Sequence, residues 1–129
     1  MSKKIPLAGL LISFATLASG ENWVQQASVP HADVFVDTDS FTLIAQGFSE
    51  RMKMQFNTPI PRRPGQDPMA YAISDVDWNC FDRSTTIRHV ADYTTKNELV
   101  TQGNGWKRAY IQPETWAANL LALQCPKAN

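Results

Sequence analysis

The stretch Tyr71–Tyr93, YAISDVDWNCFDRSTTIRHVADY, decides the fold. Its first half, from Met69 to Asp82, alternates with period 2 and reads as one long strand. One parity holds Ala72, Ser74, Val76, Trp78 and Cys80; the other holds Tyr71, Ile73, Asp75, Asp77, Asn79 and Phe81. A tight turn is expected near Asp82-Arg83. Ser84–Tyr93 then returns as a second strand, with Ile87, His89, Ala91 and Tyr93 assigned to one face. The two halves make an antiparallel hairpin.

Cys80, in the middle of this stretch, is one of two cysteines; the other is Cys125. The residues before Cys125 read as a helix. Pro113 fits a first helical turn, where a missing N–H costs nothing. Glu114 complements the positive end of the helix dipole. Trp116, Ala117, Leu120, Leu121 and Leu123 recur at spacings of three and four, with Cys125 one turn beyond Leu121 and Pro126 as the stop. The helix face bearing Cys125 therefore needs a sheet beneath it, and the Trp78/Cys80 parity is the expected covered face. An exported chain with two cysteines reads as one disulfide. The chain-entropy model gives a ring of that size about 4 kcal/mol.

Export is read from residues 1–20. Lys3 and Lys4 precede an apolar run from Ile5 to Leu17, and Ala18-Ser19-Gly20 supplies small residues for cleavage. That is the pattern of a secretory signal peptide, shorter than a usual bilayer span. No cysteine follows the run, so no lipid anchor is expected there. Of 129 residues, 21–129 are expected to form one domain. The segment removed carries two lysines and no acid. The remainder is slightly acidic, against 12 Lys+Arg and 12 Asp+Glu in the whole chain. That balance argues against nucleic acid, which needs a basic footprint. No second long apolar run occurs, so no membrane span is expected in the mature chain.

Trp23–Ala27 opens as a short strand, and the Pro30-His31 step interrupts it. Asp33–Asp37 alternates as strand, and Asp37-Thr38-Asp39-Ser40 is expected to turn the chain. Phe48–Phe56 is the clearest strand. Phe48, Met52, Met54 and Phe56 share one face with Glu50 among them, opposite Ser49, Arg51, Lys53 and Gln55. The prolines of Asn57–Pro68 make that segment a loop. Thr94–Gly105 leaves room for one short strand around Leu99-Val100. The expected fold is α+β: an antiparallel sheet of about five to six strands, with a C-terminal helix on one face and a disulfide joining them.

The order of these landmarks resembles the bacterial surface-adhesin protein E family. The matching features are Trp23, the Val34-Phe35-Val36-Asp37-x-x-Ser40 step, Cys80, Arg83, Arg88 and Tyr93, then Gly103, Trp106, the Ile111-Gln112-Pro113-x-Thr115 step and Cys125. The resemblance spans the mature chain. It implies an antiparallel sheet with a C-terminal helix and a disulfide, in the periplasm or on the surface of a Gram-negative cell. The family's namesake is an adhesin that binds host matrix proteins.

Motifs for catalysis are sparse. His31 and His89 are the only histidines, and with the cysteines bonded no thiolate remains for zinc. His89 is expected to be a part-buried, hydrogen-bonded residue on a core face. No cofactor or metal is expected. Asp75 and Asp77 share a strand face, with Asp82 near the hairpin, and offer a carboxylate pair for acid–base chemistry; the commoner role of such residues is a solvated face. The expectation is a non-catalytic binding domain that meets a protein partner or itself. Tyr71, Ile73 and Phe81 are the candidate partner surface, with Trp106 after a Gly-rich turn as a further contact. The alternatives are a small-molecule or metal carrier that uses the space between sheet and helix, and a hydrolase built on Asp75/Asp77.

Overall fold

The computed structural model describes residues 21–105 and 108–125. The expected signal peptide and Pro126 lie outside them. Among the described residues the strands are β1 Trp23–Val29, β2 Ala32–Ile44, β3 Gly47–Ile60, β4 Met69–Asn79, β5 Ser84–Thr94, β6 Leu99–Asn104 and β7 Ala109–Tyr110. A single helix, α1 Trp116–Gln124, follows. The strands form one antiparallel sheet in the order β1-β2-β3-β4-β5-β6. From β1 to β6 chain order and sheet order coincide, so these six strands are joined by hairpins. β7 pairs with Ser84 and Thr85 of β5, along the edge whose other end holds β6.

The expected hairpin is present as β4 and β5, joined by the turn at residues 80–83. Arg83 takes a positive φ of 58° there. Asn79 holds the turn through its Oδ1, which accepts the backbone N–H of Phe81 at 2.9 Å and of Asp82 at 3.1 Å.

α1 covers one face of the sheet. Leu120 and Leu121 pack with Val34, Val36, Phe48, Met52, Val76 and Trp78 as the buried core. Phe48 stacks on Trp78 at 5.7 Å between ring centroids, and Trp116 meets Trp78 edge-on at 6.3 Å. Cys80 and Cys125 are bonded, with their Cα atoms 5.8 Å apart. The covalent joint therefore sits where α1 ends and β4 turns.

Several boundaries differ from the sequence reading. Asp37–Ser40 is a bulge inside β2, not a turn between strands. Asp37 pairs with Arg51 and Thr42 with Ser49, so four residues of β2 stand against Glu50 alone. Asp37 Oδ1 accepts from the backbone N–H of Asn22 and Asp39, and Ser40 Oγ accepts from that of Arg51. These side chains supply partners the interrupted ladder lacks.

β3 runs on through Pro59 to Ile60. Its neighbour β2 begins at Ala32, opposite Phe56, so the last residues of β3 have no β2 partner and a proline breaks no ladder bond there. The helix starts at Trp116, after Pro113 and Glu114. Thr115 is its N-cap, and its Oγ1 accepts from Ala118 N–H at 3.2 Å. Glu114 has a φ of 63°, which no helical turn allows. Leu123, expected on the packed face, is 80% exposed.

Candidate functional site

The face under α1 carries an apolar space. A cleft of about 380 Å³ lies between β4–β5 and the segment from Ala109 to Ala117. Val34, Met52, Val76, Trp78, Ile87 and Trp116 supply its apolar walls; Ser74, Thr85, Gln112 and Thr115 are its uncharged polar members. Thr115 Oγ1 is already engaged, donating to Gln112 O at 2.8 Å. A volume in this range with few polar groups matches the usual small-molecule pocket. Trp78 is 1% exposed, and its Nε1 finds no hydrogen-bond partner. A buried indole N–H without an acceptor is costly.

Ile87 reaches this cleft because of a β-bulge. Val76 pairs with Ile87 but Asp75 with His89, so Arg88 is an extra residue in β5. The bulge flips the parity beyond it. Ile87 therefore lies on the covered face, whereas His89, Ala91 and Tyr93 lie on the other. The four do not share a face as expected. His89 is half-buried on the open face, in a depression it shares with Arg51, Asp75 and Tyr93.

Glu50 is the second unusual feature of the covered face. It stands between Phe48 and Met52 on β3, opposite Val76, and is 3% exposed. Its Oε1 has no partner, and neither has Oε1 of Gln124, the last helical residue, whose side chain meets the carboxyl. Burial pushes the Glu50 carboxyl up to about 7, partly offset by the Gln124 hydrogen bond.

The open face is polar at one end and aromatic at the other. Lys53 Nζ lies over three rings: Trp23 at 4.9 Å, Tyr71 at 5.5 Å and Phe35 at 5.6 Å from the centroids. Tyr71 stacks on Tyr93 at 5.1 Å and donates its hydroxyl to Asn97 Oδ1 at 2.9 Å. Burial raises the Tyr71 hydroxyl above its ordinary value, with Tyr93 and Glu21 adding to the effect. Asp75 receives Arg51 Nε at 3.4 Å; Asp77 receives Arg88 Nε at 2.8 Å. Arg88 also reaches Ser49 Oγ at 3.0 Å. Both carboxylates of the expected acid–base pair thus lie on one face, each against its own arginine.

The candidate partner surface is not assembled as one patch. Tyr71 and Ile73 are half-buried beside Lys53. Phe81 is 82% exposed, but it projects from the β4–β5 turn, beyond Asp75, Asp77 and Asn79. At about 3.3 Å per residue that separates it from Ile73 by roughly 25 Å. The parity is right, but the strand ends at Asn79 before reaching Phe81. Trp106 lies outside the described residues. Among the described residues, no three His, Cys, Asp or Glu side chains gather as a metal-binding group, and no helix is long and apolar enough to cross a membrane.

Glu50 was visible in the sequence as an acid within an apolar parity. The Lys53 site had no such signal, because its rings come from three strands. Compared with known proteins, the chain matches no family model, no curated protein and no solved structure.

Proposed function

We propose that this chain is an exported, non-catalytic binding domain of the bacterial envelope whose ligand is a small, mostly apolar molecule held between the sheet and the C-terminal helix. The cleft of about 380 Å³ between Trp78, Val76, Ile87 and Trp116 carries this reading. Its walls favour an aromatic ring or a short hydrocarbon chain. The disulfide supports the exported setting, since such bonds persist in oxidising compartments. The ordered landmarks that resemble the surface-adhesin protein E family support an envelope role.

The test is binding of N-phenyl-1-naphthylamine, a neutral apolar fluorophore. The purified protein should enhance its emission and transfer energy to it from Trp78 and Trp116. Ala117 lines the cleft from the helix, so Ala117→Trp should fill the space and abolish binding while the circular dichroism spectrum is kept. Unchanged binding in that variant would place the probe elsewhere and defeat the reading.

A second reading rests on Phe81, a large apolar side chain left 82% exposed on a disulfide-anchored turn. It supports contact with a protein partner or a second copy at that end of the sheet. Phe81→Ser should then abolish self-association in sedimentation, or capture of the partner. Tyr71→Ser should do neither, because Tyr71 is engaged by Tyr93 and Asn97.

A further inference from the structure

We propose that Glu50 and Gln124 form a proton-dependent latch that holds the C-terminal helix down over the apolar cleft, so that deprotonation of Glu50 releases the helix and opens the ligand site. The proposal rests on the ligand reading above, because the latch gates the same cleft.

The geometry places the acid under the moving part. Glu50 projects from β3 on the covered face and is 3% exposed. Gln124, its neighbour, is the last residue of α1. Trp116 and Ala117, at the other end of α1, form part of the cleft wall. Lifting the helix therefore wets the carboxyl and opens the cleft together. Cys125 follows Gln124 and is bonded to Cys80, so the released helix stays tethered at its C-terminal end.

The donor inventory explains why the proton is the latch. Oε1 of Glu50 and Oε1 of Gln124 both lack partners. A carboxylate only accepts, so the ionised pair holds one amide NH₂ against an excess of acceptors. Protonation of Glu50 adds an O–H, the donor those acceptors lack. It also removes a charge from an apolar setting, where an unpaired carboxylate is strongly disfavoured.

Nothing around Glu50 offers a countercharge among the described residues. Helix α1 carries no charged side chain, and neither does β1. On β4 the facing side chains are Ser74, Val76 and Trp78, while Asp75 and Asp77 point to the open face with Arg51 and Arg88. Arg51 and Lys53 of β3 itself also lie on that face. On β2, Asp37 pairs with Arg51 on the open-face parity and is held by two backbone N–H groups.

The direction follows from the carboxyl's two environments. It titrates near 4.5 when exposed and about 7 when covered. Below pH 4.5 it is neutral in both states and docking is strongest. Between these values it is neutral docked but ionised undocked, so each pH unit favours undocking about tenfold. Above about 7 it is ionised in both, and no further loss follows.

Amide hydrogen exchange of the full-length chain, corrected for the intrinsic pH dependence of exchange, is the direct test and needs no ligand. Protection of residues 118–124 should fall on the order of a hundredfold between pH 5 and 8. Protection of β3 and β4 should hold. In Glu50→Gln the helix should stay protected at both pH values. Helix protection that does not change with pH in the wild type, or that changes equally in Glu50→Gln, overturns the proposal. If Glu50→Gln does not fold, the wild-type comparison of helix and sheet still decides. The dissociation rate of N-phenyl-1-naphthylamine should rise with pH in step with helix opening. Failure of the probe to bind at any pH counts against the ligand reading; the exchange result judges the latch separately.

Discussion

Lys53 shows how one side chain can organise a face that no local pattern announces. Its ammonium group meets rings from β1, β2 and β4, tying four neighbouring strands together on the side α1 leaves open. Cation–π contacts contribute from about 0.5 to 2 kcal/mol, rising with desolvation. Lys53→Met keeps most of the aliphatic stem and removes the charge, so it should cost about 1 kcal/mol. A double-mutant cycle with Trp23→Leu, read by urea denaturation, should return a coupling of about 0.5–1 kcal/mol. Additivity of the two changes would show the rings to be packing only. Gly47 illustrates the opposite kind of constraint. A Cβ there would overlap the carbonyl of Trp78 on the adjacent strand, so the residue is fixed by the close approach of β3 to β4.

At the scale of elements, the helix depends on what holds it. α1 has nine residues, shorter than an isolated helix needs to persist in water. Thr115 caps its first turn, Leu120 and Leu121 bury one side, and the Cys80–Cys125 bond fixes its end. Cys125→Ser should lower stability by about 2–4 kcal/mol, since the bond closes a long ring. Because the strands retain their ladder, the helix should loosen first. The expected signature is greater acrylamide quenching of Trp116 and Trp78 with the sheet's far-ultraviolet signal kept. Simultaneous loss of both signals would instead make the helix and sheet one cooperative unit. The bulge in β5 matters at this scale too. It turns Ile87 into the cleft while leaving Arg88 to meet Asp77 on the other face.

The whole molecule is a meander of antiparallel strands with one face covered and one open. Glu21 and Asn22 already belong to it: Glu21 lies 3.7 Å from Arg51, and Asn22 N–H donates to Asp37 Oδ1 at 2.9 Å. Cleavage after Gly20 would preserve both contacts. The protein recovered from an envelope fraction should therefore begin at Glu21 on N-terminal sequencing; a Met1 start in membranes would contradict the exported reading. Period-2 alternation in β3 and β4, the turn expected near Asp82-Arg83 and the two cysteines were enough to determine the β4–β5 hairpin, the covered parity and the disulfide. Each is set by neighbours along the chain or by a count that admits one pairing. The bulges in β2 and β5 were decided only in the tertiary structure, because an extra residue is defined by the partner strand and not by the strand that carries it. The same holds for the cleft, the Lys53 site and the Glu50–Gln124 pair. Each joins side chains distant in sequence, and only the docking of α1 and the register of the sheet bring them into contact.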